Sequence, residues 1–261
     1  MGLSDHLRDK HGIAASPVTA LRSLAAEVRP GMPGRHQAEG GAQRQVSSPQ
    51  REVMPSRQAV YCADIGSVAA GHFGWGGISG DGVAAGSTRM ADLAEAVAFD
   101  LMEGVPVALG FECPLFIPLA REPENLTRAR SGEGDRPWSA AAGAGALTTG
   151  LAQVVWILGE VRRMAGTQHR AHLDWVEFLA DGRGLFLWEA FVSGAGKRGG
   201  HIEDAQEAIA AFTTSMGERE WTSAIRCTED TYSLIGCALL RTGWSSDPGL
   251  LSQPCIVVRA A

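Results

Sequence analysis

Three acidic residues stand where a carboxylate is costly unless it has a partner. Asp64 ends the apolar run "AVYCAD", Glu112 ends "VALGFE", and Asp204 lies near the start of "HIEDAQEAIAAF". A buried carboxylate must be paired, protonated or bound to a metal ion. If the three meet, like charges raise one another's pKa, and one or two Mg²⁺ or Mn²⁺ ions would relieve the repulsion. Two such ions about 4 Å apart can activate water and stabilise the leaving oxygen in phosphodiester hydrolysis.

The elements that must position these acids follow from the hydrophobic pattern after residue 57. Short apolar runs bounded by glycine or proline predict strands, and apolar residues at helical spacing predict helices. In chain order the pattern predicts strands in "QAVYCADIGSV", "HFGWGGIS" and "GVAAGST", a helix in "STRMADLAEAVAFDLMEG", a strand in "PVALGFECP", a long Ala-rich helix ending near Gly166, a strand in "GLFLWEAFVSG", a helix in "HIEDAQEAIAAFTTSM", a short helix in "TYSLIGCALLRTG" and a terminal strand in "PCIVVRA". This order predicts an α/β protein with a mixed sheet, in which a three-strand meander is followed by alternating helices and strands and by C-terminal additions.

The same order brings the three acids to one side of the predicted sheet. In a mixed α/β sheet, the ends of central strands and a nearby helix N-terminus converge on one cleft. Each acid also has an ordinary structural explanation, which stays open here. These explanations are a turn cap near Gly66 for Asp64, an arginine partner such as Arg121 for Glu112, and a first-turn acid for Asp204.

The element order, together with Asp64, Glu112 and the "HIEDAQEAI" helix, resembles the ribonuclease H-like superfamily over roughly residues 58–216. His201 and Asp204 are spaced as in the HxxDA motif that opens the last helix of Holliday-junction resolvases in that superfamily. The resemblance implies a ribonuclease H-like domain over residues 58–261 with a nuclease-type metal site.

The chain is also similar to an uncharacterised prokaryotic branch of that superfamily. That branch has an early Asp strand near a Gly-Trp pair, here Gly74 and Trp75, a later acid-Pro strand end, and a Glu in the next strand, to which Glu189 in "FLWEAF" corresponds. One departure is that Glu112 is followed by Cys113, where the branch has an Asp followed by an apolar residue.

The resemblance implies roles for five residues. Asp64, Glu112 and Asp204 would be metal ligands for Mg²⁺ or Mn²⁺ and would carry catalysis. His201 would be a ligand or an acid/base, and Glu189 a further ligand. For Glu189 a salt bridge at the strand end is the alternative. Asp230 in "CTEDTYSL" precedes another apolar helix and is the rival to Asp204 as the last acid of the cluster.

Two other classes of function remain open. Actin-like and sugar-kinase-like ATP-binding proteins also begin with an Asp-x-Gly strand, which "ADIGS" matches, but they need a later Gly-rich phosphate hairpin. The segment "SGAGKRGG" is a poor substitute, because a Walker A motif needs Gly at 191 and Ser or Thr at 198, where the chain has Phe191 and Arg198. The third class is a non-catalytic binding protein on the same fold.

Composition divides the chain at residue 57. Residues 1–57 carry five prolines and eight basic against five acidic residues, and the segment "GRHQAEGGAQRQVSSPQRE" has no apolar periodicity. This composition predicts a disordered or weakly structured tail in which only "VTALRSLAAEVR" could form a short helix. Translation could start at Met1 or at Met54. The remaining residues carry 15 basic and 24 acidic side chains, which argues against broad binding to nucleic acid and leaves a local cleft as the possible contact.

Three further patterns bear on environment. The five cysteines form no CxxC pair, which favours a reduced, cytoplasmic compartment. The longest apolar stretch, around "GLAQVVWILGEV", is judged too short to span a bilayer, which predicts a soluble protein. The segment "REPENLTRARSGEGDRPWS" alternates arginines with acids, which predicts a solvated loop. Oligomeric state is not indicated by any of these patterns.

Overall fold

A computed structural model describes residues 57–134, 137–192, 199–216 and 221–260, all within one unit, Arg51–Ala261. The predicted tail, apart from Arg57, lies outside the described residues, as do both candidate start sites and residues 193–198 of the glycine-rich segment.

A mixed sheet forms the centre of the unit. Its strands are β1 (Ala59–Asp64), β2 (Gly74–Ile78), β3 (Ala84–Ser87), β4 (Val107–Glu112), β6 (Ala171–His172), β7 (Leu185–Val192) and β9 (Val257–Ala260). The strand order is β3-β2-β1-β4-β7-β6, and β9 also pairs with β7. The pairs β1–β2 and β2–β3 are antiparallel, and the other pairs are parallel. The prediction of an α/β protein with a mixed sheet is confirmed.

Five α-helices among the described residues cover the two faces of this sheet. They are α1 (Met90–Met102), α2 (Ala141–Ala165), α3 (Trp175–Asp181), α4 (His201–Met216) and α5 (Leu234–Arg241). The apolar faces of α1, α2 and α5 share one core with one side of the sheet. The helices α3 and α4 share a second core with the other side. Because strand side chains alternate between faces, the central strands are apolar on both sides, as strands buried on both faces should be.

The segment after residue 229 differs from its prediction. Residues predicted as the start of a helix form strand β8 (Asp230–Ser233), which pairs with β5 (Phe116–Leu119) in a separate two-stranded sheet. Helix α5 therefore begins at Leu234, where the Ser233 hydroxyl accepts a hydrogen bond from the backbone N–H of Gly236. The strands β5 and β6 and helix α3 are too short to show a clear period in the sequence.

Helix α2 is longer than the apolar stretch "GLAQVVWILGEV" within it. It has 25 residues, and among the described residues it is the one helix that could cross a membrane by length and composition, with 28% of its apolar window buried. The prediction that this stretch is too short to span a bilayer is wrong by length, because the helix continues toward its N-terminus through uncharged Ala, Gly and Thr residues. Core helices of soluble proteins pass the same test, so one such helix does not by itself indicate a membrane protein.

Candidate metal centre

The first two acids of the site lie side by side on neighbouring strands. Strands β1 and β4 are parallel, and their last residues, Asp64 and Glu112, are register partners. Residues level with each other on adjacent parallel strands point to the same face of the sheet. Both carboxylates therefore leave the sheet together at its carboxyl edge, on the face that α4 covers.

The third acid, Asp204, lies in the first turn of α4. This helix packs closely on β2 because β2 has glycines beneath it. A Cβ at Gly74 would lie 2.7 Å from the backbone carbonyl carbon of His201, and a Cβ at Gly76 would lie 3.0 Å from Cγ of Gln206. The short distance between helix and strand brings Asp204 to the level of Asp64.

The three carboxylates meet at one place. Each of Asp64, Glu112 and Asp204 offers an oxygen, and these oxygens lie within 4.8 Å of one another. Asp64 and Asp204 are buried, whereas Glu112 is partly exposed. The rival acid Asp230 is exposed on β8, in the separate two-stranded sheet. The predicted convergence of the three acids is therefore present, with Asp204 rather than Asp230 as its third member.

This donor set fits a hard divalent cation. Two oxygens on opposite sides of a Mg²⁺ ion are about 4.2 Å apart, so a spacing within 4.8 Å needs only small side-chain rotations to enclose an ion. Three carboxylates at this spacing also repel one another, which a cation relieves. The group could therefore hold a metal ion.

His201 contacts the cluster directly. Its Nδ1 lies 2.5 Å from Oδ2 of Asp64, and the imidazole is 39% exposed while the Asp64 side chain is 8% exposed. The ring of His72 lies 5.6 Å from the His201 ring. His201 thus contacts the buried Asp64 carboxylate on one side and solvent on the other. His72, which sequence analysis did not single out, comes close only because the chain turns back after β1.

Glu189 lies on the other side of the sheet. It is the register partner of Phe111, one position before Glu112, so its side chain points away from the cluster. Its neighbours along β7 show the same alternation, since Leu187 belongs to the α1–α2 core and Trp188 to the α4 core. The structure therefore does not bring Glu189 together with Asp64 and Glu112.

Glu189 instead holds a buried arginine. Nη1 and Nη2 of Arg130 lie 2.9 and 2.6 Å from Oε2 and Oε1 of Glu189. The backbone N–H of Leu115 also donates to Oε2 of Glu189, at 2.9 Å. The salt bridge predicted as the alternative role of Glu189 is thus present. Glu189 does not join the metal cluster, because both of its carboxylate oxygens accept hydrogen bonds from Arg130 or Leu115.

The arginine belongs to a larger buried network. Nε of Arg130 donates to Glu133 at 2.8 Å, and Nη1 also donates to the carbonyl oxygen of Phe116. Burial alone lowers the pKa of Arg130, but Glu189 and Glu133 outweigh it and raise that pKa above its usual range. The expectation of a solvated loop is therefore wrong for Arg130 and Glu133, whose pairing a single sequence does not reveal.

Two cysteines near the acids are unsuited to thiolate chemistry. Burial, followed by the neighbouring Glu112, raises the pKa of the Cys62 thiol. Burial, followed by Glu189, raises that of Cys113. Both thiols stay protonated near neutral pH, so oxygen rather than sulfur ligands define this centre.

A cavity of about 300 Å³ adjoins the cluster. Asp64 and Glu112 form part of its wall, and the first turns of α2 form another part. Arg130, Glu133 and Glu189 also line it, and Trp138 and Phe191 contribute aromatic rings. The segment around Trp138 was predicted only as part of a loop, so its place in this cavity had no signal in the sequence.

Comparison with known protein families, with curated proteins and with solved structures finds no match to this chain.

Proposed function

We propose that this protein is a divalent-metal-dependent phosphodiester hydrolase of the nuclease type, with Mg²⁺ or Mn²⁺ at the carboxylate cluster. The observation that carries the proposal is the meeting of Asp64, Glu112 and Asp204 within 4.8 Å. Oxygen-only ligand sets with several open positions are typical of Mg²⁺ and Mn²⁺ sites that also bind substrate phosphates.

The sheet topology supports a ribonuclease H-like architecture. An antiparallel meander, β1 to β3, is followed by β4 and β7, which add in parallel on the other side of β1. The three acids come from β1, β4 and the helix that follows β7, in the order that the resemblance implies. The coincidence of topology and acid placement is a stronger argument than either feature alone.

Each residue has a definite task in this proposal. Asp64, Glu112 and Asp204 would together hold the divalent ions. A bound divalent ion supplies a Lewis acid and a water of lowered pKa. His201, already in contact with Asp64, orients that carboxylate and exchanges a proton with solvent through its exposed ring.

The proposed substrate is a nucleic-acid phosphodiester that enters a local cleft. The residues after 57 carry an excess of acids, so general electrostatic attraction for a polyanion is weak. Recognition would therefore depend on the metal ions and on the cavity beside them.

The test combines metal binding with catalysis. Calorimetric titration with MnCl₂ measures binding, and hydrolysis of bis(p-nitrophenyl) phosphate and of labelled DNA and RNA strands measures activity. Asp64→Asn should lower both by about 100-fold or more, since loss of a ligand costs more than loss of an outer partner. Asp230→Asn is the matched control, because Asp230 is exposed and lies outside the cluster.

Circular dichroism and thermal melting establish that both variants are folded. A folded Asp64→Asn protein that cleaves at the normal rate would overturn the proposal, and so would a wild-type protein that binds no Mn²⁺. Equal losses in Asp64→Asn and Asp230→Asn would show that the cluster is not the site.

A further inference from the structure

The cavity beside the carboxylates has features that the metal centre does not explain. At about 300 Å³ it lies at the lower end of the range for small-ligand pockets. A hydrolytic metal site needs room only for a phosphate and water. The additional volume leaves room for a further part of the ligand.

The wall of this cavity is suited to a planar ring. Trp138 and Phe191 line it, together with aliphatic side chains such as Ile65 and Val192. The indole N–H of Trp138 donates to the carbonyl oxygen of Arg128, at 3.0 Å, which fixes the ring in place. Nucleobases stack on fixed aromatic side chains with little dependence on sequence.

The side next to α2 is lined by small residues. Ala142, Gly143 and Ala146 line the cavity from the first turns of the helix, and no side chain caps the helix start. Thr149 also lines it, and its hydroxyl is held by the carbonyl oxygen of Gly145, at 2.9 Å. Larger side chains at these helix positions would fill the space.

Charge around the cavity sets a condition on any anionic ligand. Among the described residues, the carboxylates of Asp64, Glu112, Glu133 and Glu189 line it, together with the guanidinium of Arg130. Carboxylates repel a phosphate, whereas divalent ions held by Asp64 and Glu112 would attract it. Divalent ions at the cluster would therefore favour an anionic ligand.

We propose that this cavity binds the base of one nucleotide whose phosphate lies at the metal centre. The inference rests on the proposed function and extends it to the substrate, which presents a single nucleotide unit. That unit is either a free nucleotide or the end of a single strand.

The test compares three ligands by calorimetry with the full-length protein in the presence of MnCl₂: adenosine 5′-monophosphate, ribose 5-phosphate and inorganic phosphate. The nucleotide should bind about tenfold more tightly than the sugar phosphate, since one stacked base contributes about that much. In EDTA, binding of the nucleotide should be lost.

Two variants fill the cavity, Ala146→Leu and Ala142→Leu, the second at a more exposed position. Each should remove the nucleotide's advantage over ribose 5-phosphate while Mn²⁺ still binds. Ala152→Leu is the matched control, because Ala152 is exposed on the same helix and does not line the cavity. A single-stranded tetranucleotide that binds more tightly than the mononucleotide would identify a strand end as the ligand, and equal affinity would identify the free nucleotide.

The outcomes separate this inference from the proposal on which it rests. If Mn²⁺ binds and bis(p-nitrophenyl) phosphate is cleaved, but the nucleotide and ribose 5-phosphate bind equally, the base pocket alone is overturned. If Mn²⁺ does not bind, the metal centre is overturned and the pocket with it. Equal losses in Ala146→Leu, Ala142→Leu and Ala152→Leu would also overturn the pocket.

Discussion

Arg130 and Glu189 form a bidentate ion pair behind the strand ends that carry Asp64 and Glu112. Their contacts are 2.6 and 2.9 Å long, and the side chains are 0% and 1% exposed. Glu189 also accepts a hydrogen bond from the backbone N–H of Leu115, three residues after Glu112. The pair thus links the segment that follows β4 to strand β7. It also fixes the position at which β4, the strand that carries Glu112, ends.

Removing this arginine should be strongly destabilising. Arg130→Met would leave Glu189 and Glu133 buried without their cation, which costs about 3–5 kcal/mol of unfolding free energy. Urea denaturation measures the loss. Arg128→Met is the matched control, since Arg128 is exposed and its change should lie within about 0.5 kcal/mol. A loss below about 1 kcal/mol for Arg130→Met would contradict the network's structural role.

The contact between β2 and α4 gives a second prediction. Gly74→Ala would place a Cβ 2.7 Å from the His201 backbone, which forces the start of α4 away from the sheet. Overpacking of this kind costs about 1–3 kcal/mol. Because Asp204 moves with the helix, Mn²⁺ affinity should fall in the same variant. Thermal melting and calorimetric titration measure the two effects.

A second glycine serves as the control for this change. A Cβ at Gly159, in α2, would make only ordinary contact with Thr242, at 3.7 Å. Gly159→Ala should therefore raise stability by about 0.5–1 kcal/mol, as a helix-interior Gly-to-Ala change does, and leave Mn²⁺ affinity unchanged. If Gly74→Ala behaved in the same way, the helix would not depend on that glycine.

The parts of the fold that sequence predicted are those with a long, regular pattern. The strands ending at Asp64 and Glu112 and the helix containing Asp204 were recognised because each combines an apolar run with glycine, proline or capping residues at its ends. The convergence of the three acids then followed from the order of elements alone.

The parts that sequence did not predict depend on contacts between distant segments. Arg130 and Glu189 are 59 residues apart, and their spacing carries no signal for a buried pair. Glu189 was misplaced for a related reason, because a shift of one residue in strand register moves a side chain to the opposite face. Periodicity gives the faces of each strand, but it does not give the register between strands.

His201 should affect catalysis more than metal binding. Its Nδ1 contacts Asp64 Oδ2, and its exposed ring can exchange protons with solvent. His201→Ala should lower kcat for bis(p-nitrophenyl) phosphate by about 10²-fold or more, as for loss of a general acid or base. It should raise the Kd for Mn²⁺ by only about tenfold, as for loss of an outer partner rather than of a ligand. Steady-state kinetics and calorimetry measure the two quantities.

His72→Ala is the control for this prediction. His72 is exposed, its ring lies 5.6 Å from that of His201, and it is not a member of the group formed by the three acids. Its removal should leave kcat within a few-fold of wild type. A parallel loss of kcat and Mn²⁺ affinity in His201→Ala would instead identify His201 as a metal ligand.

His172 gives a prediction about pH that is independent of the metal centre. Burial lowers the pKa of His172, and the nearby carboxylate of Asp181, 3.1 Å away, offsets this only in part. In the unfolded chain the imidazole binds its proton near pH 6.5. Between that pH and the lower folded-state pKa, the unfolded chain binds more protons, so the folded state loses stability as pH falls.

His172→Asn removes this titration. The variant should be less stable than wild type at pH 7.5, because the contact with Asp181 is weakened. The difference in unfolding free energy between the two proteins should narrow as pH falls toward 5, by at most about 1.4 kcal/mol per pH unit. Urea denaturation across this pH range measures it. A constant difference would mean that Asp181 cancels the effect of burial on the pKa of His172. A difference that widens would mean that Asp181 outweighs burial and that the fold favours the charged imidazole.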